Sequence, residues 1–317
     1  MFGLLTDTFR EWREDGVPRL AAALAYYTTF SLAPILVLII AIAGLIGGRD
    51  AAQTQTMAQV EDLLGAEGRE FVQEMIETAS RPQTGWTATL IGAVTLLFGA
   101  LGVFGELQNS LNTIWEVKPK PATSFWDGIK RFVINRMMSF TMVLGIGFVL
   151  LASLVISAAV AALGEYIGTR WPLADFWLSL INFVVSFLII TFLFAMIFKF
   201  LPEIKIAWRD VWLGAAVTSL LFSLGKFLIG LYLGRSEVGN TFGAAGSLAI
   251  LLIWIYYSAQ ILFFGAEFTQ VYANRYGSKI VPDPGMVRIT EQERAQQGIP
   301  HQETLEKVES EQKWKSI

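Results

Sequence analysis

Apolar residues run through this chain in six long blocks, roughly Leu20 to Gly48, Trp86 to Leu111, Arg136 to Leu163, Phe176 to Leu201, Asp210 to Leu233 and Gly246 to Tyr272. Each is long enough to cross a hydrocarbon core of about 30 Å, which takes roughly 20 helical residues. Runs such as Ile35 to Leu45 do not alternate apolar with polar residues, which excludes barrel strands. The blocks recur to residue 272, which excludes a soluble domain behind one cleaved leader. The pattern predicts an all-α, polytopic membrane protein with six transmembrane helices.

Shorter periodicities fill the gaps. Phe2, Leu5, Phe9 and Trp12 recur at helical spacing among charged neighbours, the pattern of a helix lying in the membrane interface or capping the bundle. In the outer loop, Met57, Val60, Leu63 and Leu64, then Phe71, Val72, Met75 and Ile76, predict an amphipathic hairpin of two short helices over 50–84, turning around Gly65 and Gly68. The inner loop 117–135 carries Phe125, Trp126, Ile129 and Phe132 beside Lys130 and Arg131, an interfacial anchor that also suits anionic headgroups. Residues 1–275 therefore read as the membrane domain. After Asn274 the chain turns polar, with Pro282, Pro284 and Pro300, so 276–317 reads as a mobile cytoplasmic tail without chemistry. Trp86 to Gly102 and Trp208 to Gly225 echo each other weakly, as inverted repeats would.

Composition agrees: 54% of the 317 residues are hydrophobic, 16% are charged and the mean hydropathy is +0.51. The net charge of -3 says little, but its distribution is decisive. Lys and Arg gather before the first helix, between helices two and three, between four and five, and in the tail, whereas Arg49, Arg69, Arg81, Arg170 and Arg235 make up the opposite side. The positive-inside rule then puts both termini in the cytoplasm, in a multi-pass protein of a bacterial inner membrane. With no cysteine there is no disulfide, thiolate metal site or redox chemistry of the chain's own.

Polar residues inside the spans are the candidate chemistry. Pro34 in helix one removes a backbone hydrogen bond and predicts a kink, with Thr28, Thr29 and Ser31 placed to bond freed carbonyls. Gly102, Glu106, Asn109, Ser110 and Thr113 share one face of helix two, and Tyr256, Gln260, Glu267 and Gln270 share one face of helix six. A carboxylate at bilayer depth costs about 2.5 to 3.5 kcal/mol, so these faces should meet protein or a wet cavity. Glu106 and Glu267 both sit roughly 6 to 8 Å from the inner helix ends. A substrate-binding or pathway site follows, lined by Tyr27, Ser31, Glu106, Asn109, Tyr256, Gln260 and Glu267. It serves either as a proton- or cation-responsive path or only to lock helices together. Lys226, about 24 Å above the inner boundary, either snorkels outward or meets an outer-half acceptor or anionic ligand. The Gly-rich stretch Gly234 to Gly246 reads as tight packing rather than a phosphate cradle.

Several activities are disfavoured. His301 is the only histidine, and Glu116 and Asp127 are isolated in the sequence, so no hydrolytic metal centre is expected. No Walker motif and no nucleic-acid groove can be read, and no cofactor is expected.

The segments LAAALAYYTTFSLAP (Leu20 to Pro34), GVFGELQNSLNTIW (Gly102 to Trp115), FLP (Phe200 to Pro202) and FGAAGSLAILLIWIYYSAQILFFGAEFTQVYA (Phe242 to Ala273) resemble the BrkB/YihY family of bacterial inner-membrane proteins. The resemblance implies six helices, cytoplasmic termini and a role in the cell envelope, with serum resistance and transport of lipid-like molecules among the associations. An old ribonuclease BN label also attaches to the family, and the residues above argue against it. The expected function is a non-enzymatic transporter or lipid-handling factor whose partners are membrane lipids and a small-molecule or lipid-like substrate, the alternative being a structural or assembly protein.

Overall fold

The computed structural model describes residues 2–79, 102–121, 174–233 and 244–301, with Ser124, Trp126 and Gly145 singly. Helix α1 (Phe2–Glu14) meets α2 (Val17–Gly47) at Gly16, whose φ of 64° is the left-handed conformation that lets the chain turn within one residue. Pro18 in the first turn of α2 removes an N–H that has no intrahelical partner there. Next come α3 (Arg49–Ala79), a helix α4 over residues 102–114 and strand β1 (Val117–Pro119). Then follow α5 (Ala174–Phe200), β2 (Ile204–Lys205), α6 (Trp208–Leu233) and α7 (Ala244–Arg275). The described chain closes with β3 (Val281–Pro282), β4 (Met286–Arg288) and α8 (Glu291–Gln297).

Among the described residues, four helices are long and apolar enough to cross a membrane: α2 over Val17–Ala41, α5 over Phe183–Phe200, α6 over Trp208–Ile229 and α7 over Gly246–Arg275. They match the predicted blocks one, four, five and six. Block two ends in α4, while the rest of it, block three, most of the inner loop, the Gly-rich stretch before α7 and the first half of the weak repeat lie outside the described residues. Phe30, Leu220 and Phe227 are each more than three-fifths exposed. On a bilayer-crossing helix such faces meet acyl chains as apolar as themselves, so exposure there carries no hydrophobic penalty.

Without that penalty, helix association relies on close packing, and α6 with α7 shows how. The Thr218 hydroxyl donates to the Gly214 carbonyl at 2.7 Å and the Thr269 hydroxyl to the Gly265 carbonyl at 2.6 Å. Each threonine then fills the notch over the other helix's glycine, so that a Cβ at Gly214 would overlap Thr269 and one at Gly265 would overlap Thr218. Further toward the C-terminal end of α6, the aromatic ring of Tyr257 occupies the space over Gly225. α7 also packs on α1, α2 and α3, which makes it the central element of the described bundle.

Three expectations are revised. Helical backbone continues on both sides of Pro34, and the part of that expectation revised is the threonine, since Thr29 donates to the Ala25 carbonyl at 2.8 Å rather than to the Phe30 carbonyl that the proline deprives. α3 is one helix where two were expected, yet Arg49 and Gln53 line the same cavity as Ile76 and Glu77. A straight rod would hold those positions roughly 35–40 Å apart. Arg69 also reaches Glu61 at 2.5 Å. The helix therefore doubles back within the stretch holding Gly65 and Gly68, and Met57, Val60, Val72 and Ile76 form one core with Leu36, Ile40 and Trp254.

The third revision concerns the tail. Residues 276–301 fold onto the end of the bundle: β4 pairs antiparallel with β1 (Val117↔Arg288, Lys118↔Val287, Pro119↔Met286) and β3 with β2 (Ile204↔Pro282, Lys205↔Val281). Ile280 and Met286 are buried in the main core beside Val117 and Ile204. Ile280, Met286 and Ile299 are the buried apolar residues that anchor this stretch. They are too widely spaced to form a periodic signal, which is why the composition reads as a tail. Residues 302–317 lie outside the described residues.

Gly265→Ala should force α6 and α7 apart and destabilise the protein by about 1–3 kcal/mol, the usual range for overpacking. Gly3→Ala, whose Cβ would stand 3.7 Å from Arg275 Nη1 in ordinary contact, should be neutral. Thermal unfolding in detergent compares the two; equal melting temperatures would mean the helices do not approach this closely.

Candidate functional site

The residues proposed to line one site fall into separate groups. Gly102 on α4 faces α2, where a Cβ would stand 3.8 Å from Ser31 Oγ and 3.9 Å from the Tyr27 ring. Glu106, one turn further along α4, is half-buried, and Asn109 is exposed. Gln260 Oε1 accepts a hydrogen bond from Trp12 Nε1 at 3.1 Å, tying α7 to α1. Tyr256 is exposed, and Lys226 is half-buried in the upper part of α6. Glu267 is fully buried, and its carboxyl lies against that of Asp15.

Gln270 of the helix-six stripe, with Gln108 and Asn112, which the sequence did not single out, connects the helix ends. Gln108 Nε2 donates to the Leu201 carbonyl at 3.1 Å, and Gln270 Nε2 to the Ile114 carbonyl at 2.8 Å. Asn112 Nδ2 donates to Glu203 Oε2 at 3.1 Å while its Oδ1 accepts from the Glu203 N–H at 3.1 Å. At the same end, Asp210 Oδ2 accepts from both the N–H and the hydroxyl of Ser278, each at 2.9 Å.

The densest polar assembly gathers around Asp15, at the α1–α2 corner. Arg294 Nη2 donates to Asp15 Oδ1 at 2.6 Å, and both side chains are 1% exposed. Arg294 Nη1 reaches Glu116 Oε1 at 3.4 Å. Glu116 follows α4 with φ at 55°, a left-handed conformation that costs a non-glycine residue roughly 1–2 kcal/mol. Its carbonyl accepts from the Ile289 N–H at 2.8 Å, which holds it there. His301 Nε2 lies 3.2 Å from the same Glu116 oxygen and 3.8 Å from Glu11 Oε2, and its Nδ1 lies 2.6 Å from Glu291 Oε2. Glu116, isolated in the sequence, and His301, assigned to a mobile tail, are thus both parts of one cluster. The local pattern that marks α8, passed over in the sequence, is Thr290-x-x-Glu293, a capping box whose Thr290 N–H donates to Glu293 Oε2 at 3.1 Å. Glu293 also bonds Lys118 of β1, fixing the helix that presents Arg294.

These surroundings shift titrations. Burial, with the Glu116 and Glu11 carboxylates adding to it against the pull of Arg294, raises Asp15 to about 7. Burial and the Glu14 carboxylate raise Glu11. For His301, burial opposes protonation, but the Glu291 hydrogen bond and the Glu116 and Glu291 charges outweigh it and raise the imidazole.

The family model for virulence factor BrkB matches residues 8–290, which takes in α1, the Asp15 corner and β4 together with the spans. The chain belongs to the BrkB family. Among proteins similar to this chain, a UPF0761 membrane protein of Ralstonia nicotianae is 26% identical over 80% of this chain and 55% of its own length. A UPF0761 membrane protein of Stenotrophomonas maltophilia is 28% identical over 80% of this chain and 57% of its own. One from Alcanivorax borkumensis is 22% identical over 81% and 57%. The chain thus spans little more than half the length of these relatives. No solved structure matches it.

In this BrkB chain, removing one partner of the buried pair by Arg294→Met should destabilise docking of 276–301 by about 3–5 kcal/mol, detected as rapid proteolysis of that segment. A pH effect follows as well. The folded Asp15 and His301 both bind protons more tightly than their unfolded values of 3.8 and 6.5. The folded state therefore carries the extra protons, and stability falls as pH rises through those windows. In EDTA-containing buffer, amide exchange over 286–301, corrected for intrinsic rate, should be slower at about pH 6 than at about pH 8; the reverse order would refute the assignment.

Proposed function

We propose that this BrkB-family chain is a non-enzymatic inner-membrane protein that binds and moves a lipid-like amphiphile of the cell envelope. The observation that supports this best is a cavity of about 440 Å³ between α2 and α3, at the end of the bundle away from the chain termini. Val37, Ile40, Ala41 and Ile76 make its walls apolar, and Arg49, Gln53 and Glu77 make its mouth polar. That volume lies in the range of small-molecule sites, and an apolar chamber with a charged rim is complementary to one end of an amphiphile. Both charge signs meet at the rim, and Glu61, Glu70 and Glu74 lie close by on α3, so a zwitterionic headgroup fits better than an anionic one. With cytoplasmic termini, read from the basic residues, the cavity opens toward the outer leaflet. Tyr27 and Ser31 of α2, with Glu106 on the neighbouring α4, then stand nearer the inner leaflet than the cavity does.

A structural or assembly role is the second reading, favoured by Gln108, Asn112 and Gln270, whose amides are all engaged in joining helix ends.

Proteoliposomes containing labelled phosphatidylethanolamine separate the two. The transport reading expects labelled lipid to exchange between leaflets, with Ala41→Trp returning the rate to the protein-free level and Glu106→Gln or Glu267→Gln slowing it at normal abundance. No exchange in the wild type, together with loss of abundance in both glutamine variants, would leave the structural reading standing.

A further inference from the structure

We propose that Glu11, Glu14 and His301 form a binding site for a divalent transition-metal ion that clips α1 to the segment following α8. One ligand atom from each residue lies within 4.8 Å of the others, and all three side chains are half-buried, so an ion can enter from solvent. Ligands on one zinc ion at about 2.0–2.2 Å stand no more than about 4.4 Å apart, so small side-chain rotations close the site.

The histidine is held as a metal ligand requires. Glu291 Oε2 lies 2.6 Å from Nδ1 and Glu291 Oε1 accepts the His301 backbone N–H at 2.9 Å, which fixes both the ring and its tautomer. Nε2 is left turned toward Glu11 and Glu116, at 3.8 and 3.2 Å. A carboxylate behind the far nitrogen is the recurrent arrangement around zinc-bound imidazole. Glu116 is placed to serve as a further ligand.

A second observation comes from charge. The carboxylates of Glu11, Asp15, Glu116, Glu267 and Glu291 converge here, faced by Arg294, by Arg10 at 3.7 Å from Glu11, and by His301 itself. Glu267 is fully buried, and its carboxyl adjoins those of Asp15 and Glu11. The cluster is short of positive charge, and a dication supplies it. One imidazole with carboxylate oxygens suits zinc or manganese better than magnesium, which favours an all-oxygen octahedron and keeps its waters. The inference is independent of the lipid reading, since the site lies at the opposite end of the bundle from the α2–α3 cavity.

The test is titration of the chelator-stripped, full-length protein in detergent with Zn²⁺, and with Co²⁺ as a coloured reporter. The expected result is one saturable site per chain that Mg²⁺ does not displace. Binding should disappear in His301→Ala and in Glu14→Gln, and weaken about 10- to 100-fold in Glu291→Gln. Absence of saturable binding, or wild-type affinity in His301→Ala, would overturn it. Should His301→Ala fail to survive extraction, Glu14→Gln decides the matter, because unchanged Zn²⁺ affinity and an unchanged Co²⁺ visible spectrum in that variant also overturn it.

Discussion

Arg294 retains 1% of its side-chain surface, and a guanidinium so placed must be matched by charge. Desolvating an ion costs several kcal/mol even after relaxation, and the cost is met only by well-placed partners. Its partners come from distant parts of the chain: Asp15 from the α1–α2 corner and Glu116 from the end of α4. Asp15 in turn adjoins Glu267 of α7. One end of the bundle is therefore complete only when the first and last described segments have come together there. The left-handed turn at Gly16 and the strained Glu116 make sense as the local cost of directing carboxylates at one point.

The two ends of the molecule are held by different physics. Within the spans there is little hydrophobic drive between helices, so the Gly214–Thr269 and Gly265–Thr218 notches supply contact by shape. At the terminal end, where water is near, amides and ion pairs dominate, from Gln270 on the Ile114 carbonyl to Ser278 on Asp210. The opposite end differs again: α3 doubles back over α2 and leaves a cavity beside Gly44 and Arg49.

How much of this could be read in the sequence depends on the range of the interactions. The spans are legible because roughly 20 consecutive apolar residues form a local signal. The burial of Glu267 is legible as well, since a carboxylate at depth must face protein. Its partner is not, because Asp15 reads as an ordinary charged residue before a helix. The Asp15–Arg294 pair joins positions 279 apart, and no local pattern announces it. The docked tail is hidden for a similar reason, since Ile280, Met286 and Ile299 are scattered among prolines and charges. Gly65 and Gly68, read as the turn of a hairpin, lie in the stretch where α3 doubles back. On α4 the expected stripe is buried at Ser110 and half-buried at Glu106 but exposed at Asn109, and the bonded amides are the neighbouring Gln108 and Asn112.

The central claim is that residues 276–301 are a docked part of the bundle, and the absence of natural cysteine makes it directly measurable. Val117 and Arg288 are paired across β1 and β4, at a non-hydrogen-bonded position where Cβ atoms approach closely. In native membranes, Val117→Cys with Arg288→Cys should form an intramolecular disulfide under mild oxidation, reversed by reductant, while Val117→Cys with Gln297→Cys should not. Failure of the first pair to cross-link in well-expressed protein, or equal cross-linking of both, would contradict the account.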